Sequence, residues 1–84
     1  MSWYVYLLRC RDNNLYTGYT DDVKRREAVH NAGKGAKYTK SRLPVKLVYV
    51  EQFEDKSQAM KREFAIKQLT KAKKEQLVCG KELP

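Results

Sequence analysis

The sequence is poor in residues that staple a fold or ligate a soft metal: it has two cysteines and one histidine in 84 residues. Cys10 and Cys79 lie far apart with only His30 as a nitrogen partner, so this chain alone cannot build a tetrahedral Cys/His zinc site. The pair gives no reason to expect a disulfide, and both are expected as reduced, buried thiols of a cytoplasmic protein. A lone histidine leaves serine or cysteine hydrolysis with one imidazole base, and no nucleophile elbow is present. No apolar run approaches the roughly 20 residues that cross a bilayer. The start, Met1-Ser2-Trp3-Tyr4, shows no basic segment leading into an apolar one, so no secretory signal is expected. Internal repeats and low-complexity stretches are missing, and the two prolines, Pro44 and Pro84, mark a loop and the terminus. Acids are scarce, 10 Asp+Glu against 18 Lys+Arg, which gives a net charge of +8 and a pI near 9.6. Such an excess points to a polyanion, meaning nucleic acid or an acidic membrane surface, with a merely soluble basic protein as the plain alternative.

What is present suits one compact domain spanning 1–84. A domain of this size buries only about 60–65% of its unfolded surface, so apolar residues cannot be wasted. The 42% hydrophobic and 11% aromatic content is enough for that core and argues against disorder. Residues 3–10 are aromatic, β-branched and apolar on both parities, the pattern of a central strand covered on both faces. Asp12-Asn13-Asn14 is a turn signal, and residues 15–20 read as the return strand of a hairpin. Thr20, Asp21 and Asp22 offer N-caps for a helix from about residue 22 to Ala32, stopped by Gly33. Residues 34–44 lack periodicity and read as a loop. Val45 to Phe53 forms a third strand. Asp55 and Gln58 have capping-box spacing and open a helix through about Leu69, and Thr70 caps a last one over 71–78. The order β-β-α-β-α-α predicts a small α+β fold, a three-stranded antiparallel sheet flanked by helices.

Three features break the structural pattern. On the helix from Asp55, the apolar stripe of Ala59, Met60, Phe64 and Ile66 includes Glu63. A carboxylate there costs several kcal/mol unless it is paired or bound to metal. It can pair with Lys67 one turn on, reach solvent at the stripe edge, or hold a cation. In the hairpin, an odd-length turn without a bulge puts Tyr6, Tyr16 and the bare backbone of Gly18 on one face, although tyrosines also suit strands for ordinary reasons. On the first helix, Arg26 and His30 stand at i, i+4 and project together, either as solvated surface or as a phosphate-directed pair.

Taken together, Tyr4-Val5-Tyr6, nine intervening residues, Tyr16-Thr17-Gly18, then Arg26, His30 and Glu63 resemble the GIY-YIG nuclease superfamily, notably its short, single-domain bacterial members of an uncharacterised family. The likeness runs from Tyr4 to about Val78. It implies a metal-dependent endonuclease that hydrolyses nucleic-acid phosphodiesters, DNA ahead of RNA. By this resemblance Tyr6 is the general base, its pKa near 10 lowered by metal and cations. Tyr16 orients water or phosphate, and Gly18 lets substrate approach the backbone. Arg26 holds the scissile phosphate, and His30 bonds a tyrosine hydroxyl or a phosphate. Glu63 binds one divalent cation, Mg²⁺ or Mn²⁺. Arg9 matches a basic position that touches phosphate in some members. Two departures stand out: Tyr4 replaces the first glycine of the motif, and no asparagine follows Asn31.

Between residues 34 and 46 the chain carries Lys34, Lys37, Lys40, Arg42 and Lys46 and no acid. This segment is the expected substrate-capture loop, with Tyr38 able to stack on an unpaired base and Thr39 and Ser41 as donors, or else a solvated mobile loop. No accessory DNA-binding module is expected within these 84 residues, which leaves target choice open to a protein partner, and no membrane partner is expected. The competing reading is a DNA/RNA-binding module with the same fold and little or no activity.

Overall fold

The structure, a computed structural model, describes residues 2–80; Pro84 lies outside them. The chain runs β1 (Trp3–Arg9), β2 (Leu15–Thr20), α1 (Val23–Asn31), α2 (Lys37–Lys40), β3 (Lys46–Phe53), α3 (Lys56–Lys67) and α4 (Lys71–Cys79). The sheet has the order β2-β1-β3, and both pairings are antiparallel. This is the α+β architecture expected from the sequence, with one addition. The segment read as a plain loop contains α2, a single four-residue turn. One turn is too short to show periodicity, and a buried contact of Thr39, described below, accompanies it.

The hairpin follows from its turn chemistry. Asn13 takes φ 71, and the Asp12 carboxylate accepts from the Asn14 N–H at 3.1 Å. The turn covers residues 10–14, an odd number, so Tyr6 pairs with Gly18 and Leu8 with Tyr16, all on one face. β1 is the central strand and is buried on both faces. Val5 and Leu7 point to one side, where they meet Ala59 and Ile66 of α3. Tyr6, Leu8 and Cys10 point to the other, with Val45. Each such apolar side chain contributes about 1.5–3 kcal/mol on burial.

α1 is docked differently. It is polar, its only buried residue is His30, and hydrogen bonds hold it in place. Asn31 accepts from the Val45 N–H at 2.7 Å and donates to the Val45 carbonyl at 2.9 Å. The Glu27 carboxylate accepts from the Leu47 N–H at 2.6 Å. These bonds tie α1 to the start of β3. Its own start is capped by Asp22, which accepts from the Arg25 N–H at 3.1 Å, and Gly33 at φ 76 ends it.

Two sequence expectations are corrected. The stripe on α3 is drawn differently: Ala59 and Ile66 are fully buried, but Met60 is 45% and Phe64 66% exposed. The helix docks along the line through positions 59, 63 and 66, which leaves 60 and 64 on the solvent side. Glu63 therefore does lie on the docked side. Cys79 is exposed rather than buried, because α4 turns Leu77 and Val78 toward the core and the next residue faces out. Cys10 is buried as expected. No helix among the described residues is long and apolar enough to cross a membrane.

Candidate active site

A cleft of ≈ 510 Å³ collects Tyr6, Tyr16 and Gly18 from the sheet, Arg26 from α1 and Glu63 from α3. Residues from both sheet faces contribute, since Trp3 and Tyr19, which pack toward α3, line it as well. Chain topology makes this convergence possible. β1 and β2 present the tyrosines, while α1 brings Arg25 and Arg26 and α3, far away in sequence, brings Lys56 and Glu63.

Tyr6 is buried, and its ring lies across Gly18: a Cβ there would stand 2.4 Å from the Tyr6 hydroxyl oxygen. The bare backbone of Gly18 thus accommodates the chain's own Tyr6, where the sequence suggested space for substrate. Beyond Tyr6 lies His30, 2% exposed, with Nε2 3.2 Å from Tyr6 Oη and Nδ1 2.8 Å from Thr39 Oγ1. Gly35 makes room for this ring in turn, because a Cβ at Gly35 would come within 2.2 Å of Nδ1. Burial pushes the Tyr6 pKa up to about 12, the neighbouring Tyr16 adds to the rise, and the Arg26 guanidinium opposes it. Burial, with help from Arg26, holds the His30 pKa below its ordinary value, so the imidazole is neutral at pH 7.

Arg26 is exposed and forms no salt bridge among the described residues, whereas Arg9, Arg42 and Arg62 are each paired with a carboxylate. Its fork is open to a phosphate in the cleft. Glu63 has a side chain only 17% exposed and sits 3.5 Å from Lys67 Nζ, the pairing that was one of its expected alternatives. Among the described residues no group of three His, Cys, Asp or Glu converges as a metal cage. A hard cation needs no such cage: Mg²⁺ is commonly held by one or two carboxylates, substrate phosphates and retained waters. Glu63, largely buried in a cleft lined also by Tyr6, Thr20, Asp21 and Asp22 beside Arg25, Arg26 and Lys56, fits that ligand set as the holder.

The remaining candidates divide. Arg9 is outside the cleft, gripped by both oxygens of Glu75 on α4, with the Nη2–Oε1 distance 2.7 Å. Arg42 donates to Asp12 at 2.9 Å and to the Tyr38 carbonyl at 2.8 Å, and its guanidinium lies 4.0 Å from the Tyr38 ring centre. Tyr38 is 39% exposed and stacks on Tyr16 with ring centres 6.0 Å apart. Lys34 shares a hollow of ≈ 270 Å³ with Tyr16, Arg26 and His30. Lys37 and Lys40 are exposed on α2. The inward roles of Thr39 and Gly35 were not visible in the sequence: both lie in a stretch that looks uniformly basic and polar, and their partner is a histidine on another element.

A small antiparallel sheet that carries paired tyrosines over a helix-borne arginine and glutamate defines a class of catalytic domain. Residues 2–76 match the GIY-YIG catalytic domain, and the chain belongs to that family. Its relatives include UPF0213 proteins. That of Natronomonas pharaonis is 61% identical over 75 residues, covering 89% of this chain and 88% of the relative. That of Staphylococcus haemolyticus is 57% identical over 75 residues, covering 89% and 92%. The solution NMR structure of the UPF0213 protein from Bacillus halodurans is 51% identical, covers 100% of this chain and 89% of its own, and superposes with a TM-score of 0.61.

Proposed function

We propose that the protein is a metal-dependent endonuclease acting on nucleic-acid phosphodiesters, DNA ahead of RNA. The observation that carries this is the meeting of Tyr6, Arg26 and Glu63 in one cleft, with Arg26 free of any carboxylate among the described residues. The scissile phosphate sits against the Arg26 guanidinium, which stabilises the charge that develops on its oxygens. Tyr6 takes the proton of the attacking water, and Tyr16 orients that water or the phosphate. Glu63 would hold Mg²⁺ or Mn²⁺, which supplies Lewis-acid stabilisation of the phosphate and leaving oxygen. Lys34, Lys37 and Lys40 hold flanking phosphates through charge, giving salt-sensitive and sequence-tolerant binding.

A second reading, a binding module with little or no turnover, is favoured by the Glu63–Lys67 ion pair. Purified protein offered plasmid, single-stranded, flapped and branched DNA, and RNA, with Mg²⁺ or Mn²⁺, separates the two. Cleavage that falls by about 10²-fold or more in Tyr6→Phe and Glu63→Ala supports the enzyme. Binding without cleavage on every substrate supports the module.

A further inference from the structure

Thr39 is fully buried, and its hydroxyl donates its only hydrogen to the Ala36 carbonyl at 2.9 Å. A carbonyl has no hydrogen to give, so this bond has one possible direction. With that hydrogen on the carbonyl, the same oxygen accepts from His30 Nδ1, 2.8 Å away, and Nδ1 carries the ring proton; a hydrogen turned to Nδ1 instead would leave the ring proton on Nε2. A neutral imidazole protonated at Nδ1 presents a bare lone pair at Nε2. The group facing that lone pair, at 3.2 Å, is the Tyr6 hydroxyl, which becomes the donor. The hydrogens therefore all point one way, from Tyr6 through His30 and Thr39 to a backbone carbonyl. That carbonyl is itself held by α2, where it also accepts the N–H groups of Thr39 and Lys40 at 3.1 and 3.2 Å.

We propose that Thr39 is a positioning residue that fixes His30 as its Nδ1–H tautomer and so makes His30 Nε2 the acceptor of the Tyr6 proton. Its use in catalysis rests on the nuclease reading; the tautomer stands apart from it. In the attack, one O–H bond of water breaks and its proton passes to Tyr6 Oη while the Tyr6 proton passes to Nε2. The water oxygen forms the new bond to phosphorus with its electron pair. The bond from phosphorus to the leaving oxygen breaks, and that oxygen keeps its pair and takes a proton from solvent. His30, now imidazolium, returns its proton through Tyr6 to solvent. Tyr6 relays a proton, giving its own to His30 Nε2 as it takes that of the water. The opposite tautomer would put a hydrogen on Nε2, turn Tyr6 into an acceptor and close this exit. Gly35 belongs to the same device, because its missing side chain is what lets the imidazole sit between its two partners.

His30 is the only histidine in the chain, so its two ring nitrogens can be read without ambiguity in a long-range ¹H–¹⁵N correlation of the ¹⁵N-labelled protein. The wild type is expected as Nδ1–H, Thr39→Ser should keep that state, and the isosteric Thr39→Val should move to Nε2–H or a mixture. On any substrate that is cut, Thr39→Val should lower kcat by about 10²-fold or more with KM nearly unchanged, and Thr39→Ser should restore most of it. A wild type found as Nε2–H overturns the proposal, and this needs no variant to fold. Nδ1–H persisting in folded Thr39→Val overturns it as well. A tautomer that switches as expected in a protein that cuts nothing supports the assignment and refutes the nuclease reading instead.

Discussion

Replacing Gly35 by alanine tests the packing of the site most directly. The new methyl carbon would stand 2.2 Å from His30 Nδ1, 2.6 Å from Cγ and 2.8 Å from Cε1. Ordinary contact between such atoms begins at about 3.5 Å, so the ring or the Gly35 backbone must give by about 1 Å. The ring is 2% exposed and held from both ends, at 3.2 Å by Tyr6 and at 2.8 Å by Thr39. A shift of that size breaks at least one of these bonds and leaves a buried polar atom unpaired, which costs about 1–3 kcal/mol. Overpacking adds about 1–3 kcal/mol, so the expected loss is about 2–6 kcal/mol. For a chain of this length that is a fall in Tm of roughly 10–45 °C. Gly33→Ala is the matched control two residues away: φ is 76, nothing lies within 4 Å, and the cost is left-handed strain of about 1 kcal/mol. Thermal melts followed by circular dichroism, with the His30 ring signals recorded alongside, decide the matter. Equal losses in the two variants with unmoved His30 signals would refute the reasoning.

Asn31→Ala removes both partners of the Val45 backbone and should cost about 2 kcal/mol, read as a lower urea midpoint at unchanged m-value. Because burial holds the folded pKa of His30 below 6.5, the unfolded chain binds a proton first as pH falls. Stability should therefore be level above about pH 6.5 and decline below it, until the folded pKa is passed. The paired carboxylates act lower: Glu75, held down to about 2 chiefly by Arg9, loses its contribution between the unfolded value near 4.5 and about 2. Denaturant titrations between pH 5 and 7 isolate the histidine, and a flat profile there would refute its buried, neutral state. Arg9→Gln should cost about 0.5–1 kcal/mol, since the Glu75 pair is partly exposed, and leave nucleic-acid affinity unchanged. Lys34→Gln should weaken binding and reduce the salt slope by about 1 in a fluorescence-anisotropy titration.

The local physics of single elements is legible in the linear chain. Continuous apolarity marks β1 as central and Asp12-Asn13-Asn14 marks a turn, but the odd length and unbulged register that bring Tyr6, Tyr16 and Gly18 to one face are decided by the strand pairing. Caps at Asp22, Asp55 and Thr70 place the helix starts, because each depends on a side chain reaching a backbone N–H three residues on. Periodicity is weaker guidance: Met60 and Phe64 look as apolar as Ala59 and Ile66, and only docking against the sheet decides which pair is buried. The same holds for cations. Arg9 and Arg42 look as available as Arg26 until Glu75 and Asp12 engage them, and those partners stand 66 and 30 residues away. Thr39 and Gly35 lie at the far end of this scale, in a run with no hydrophobic signal at all. Their roles exist only because α1 delivers a histidine to them, and a hydrogen bond's direction is fixed by its neighbours in space rather than in sequence.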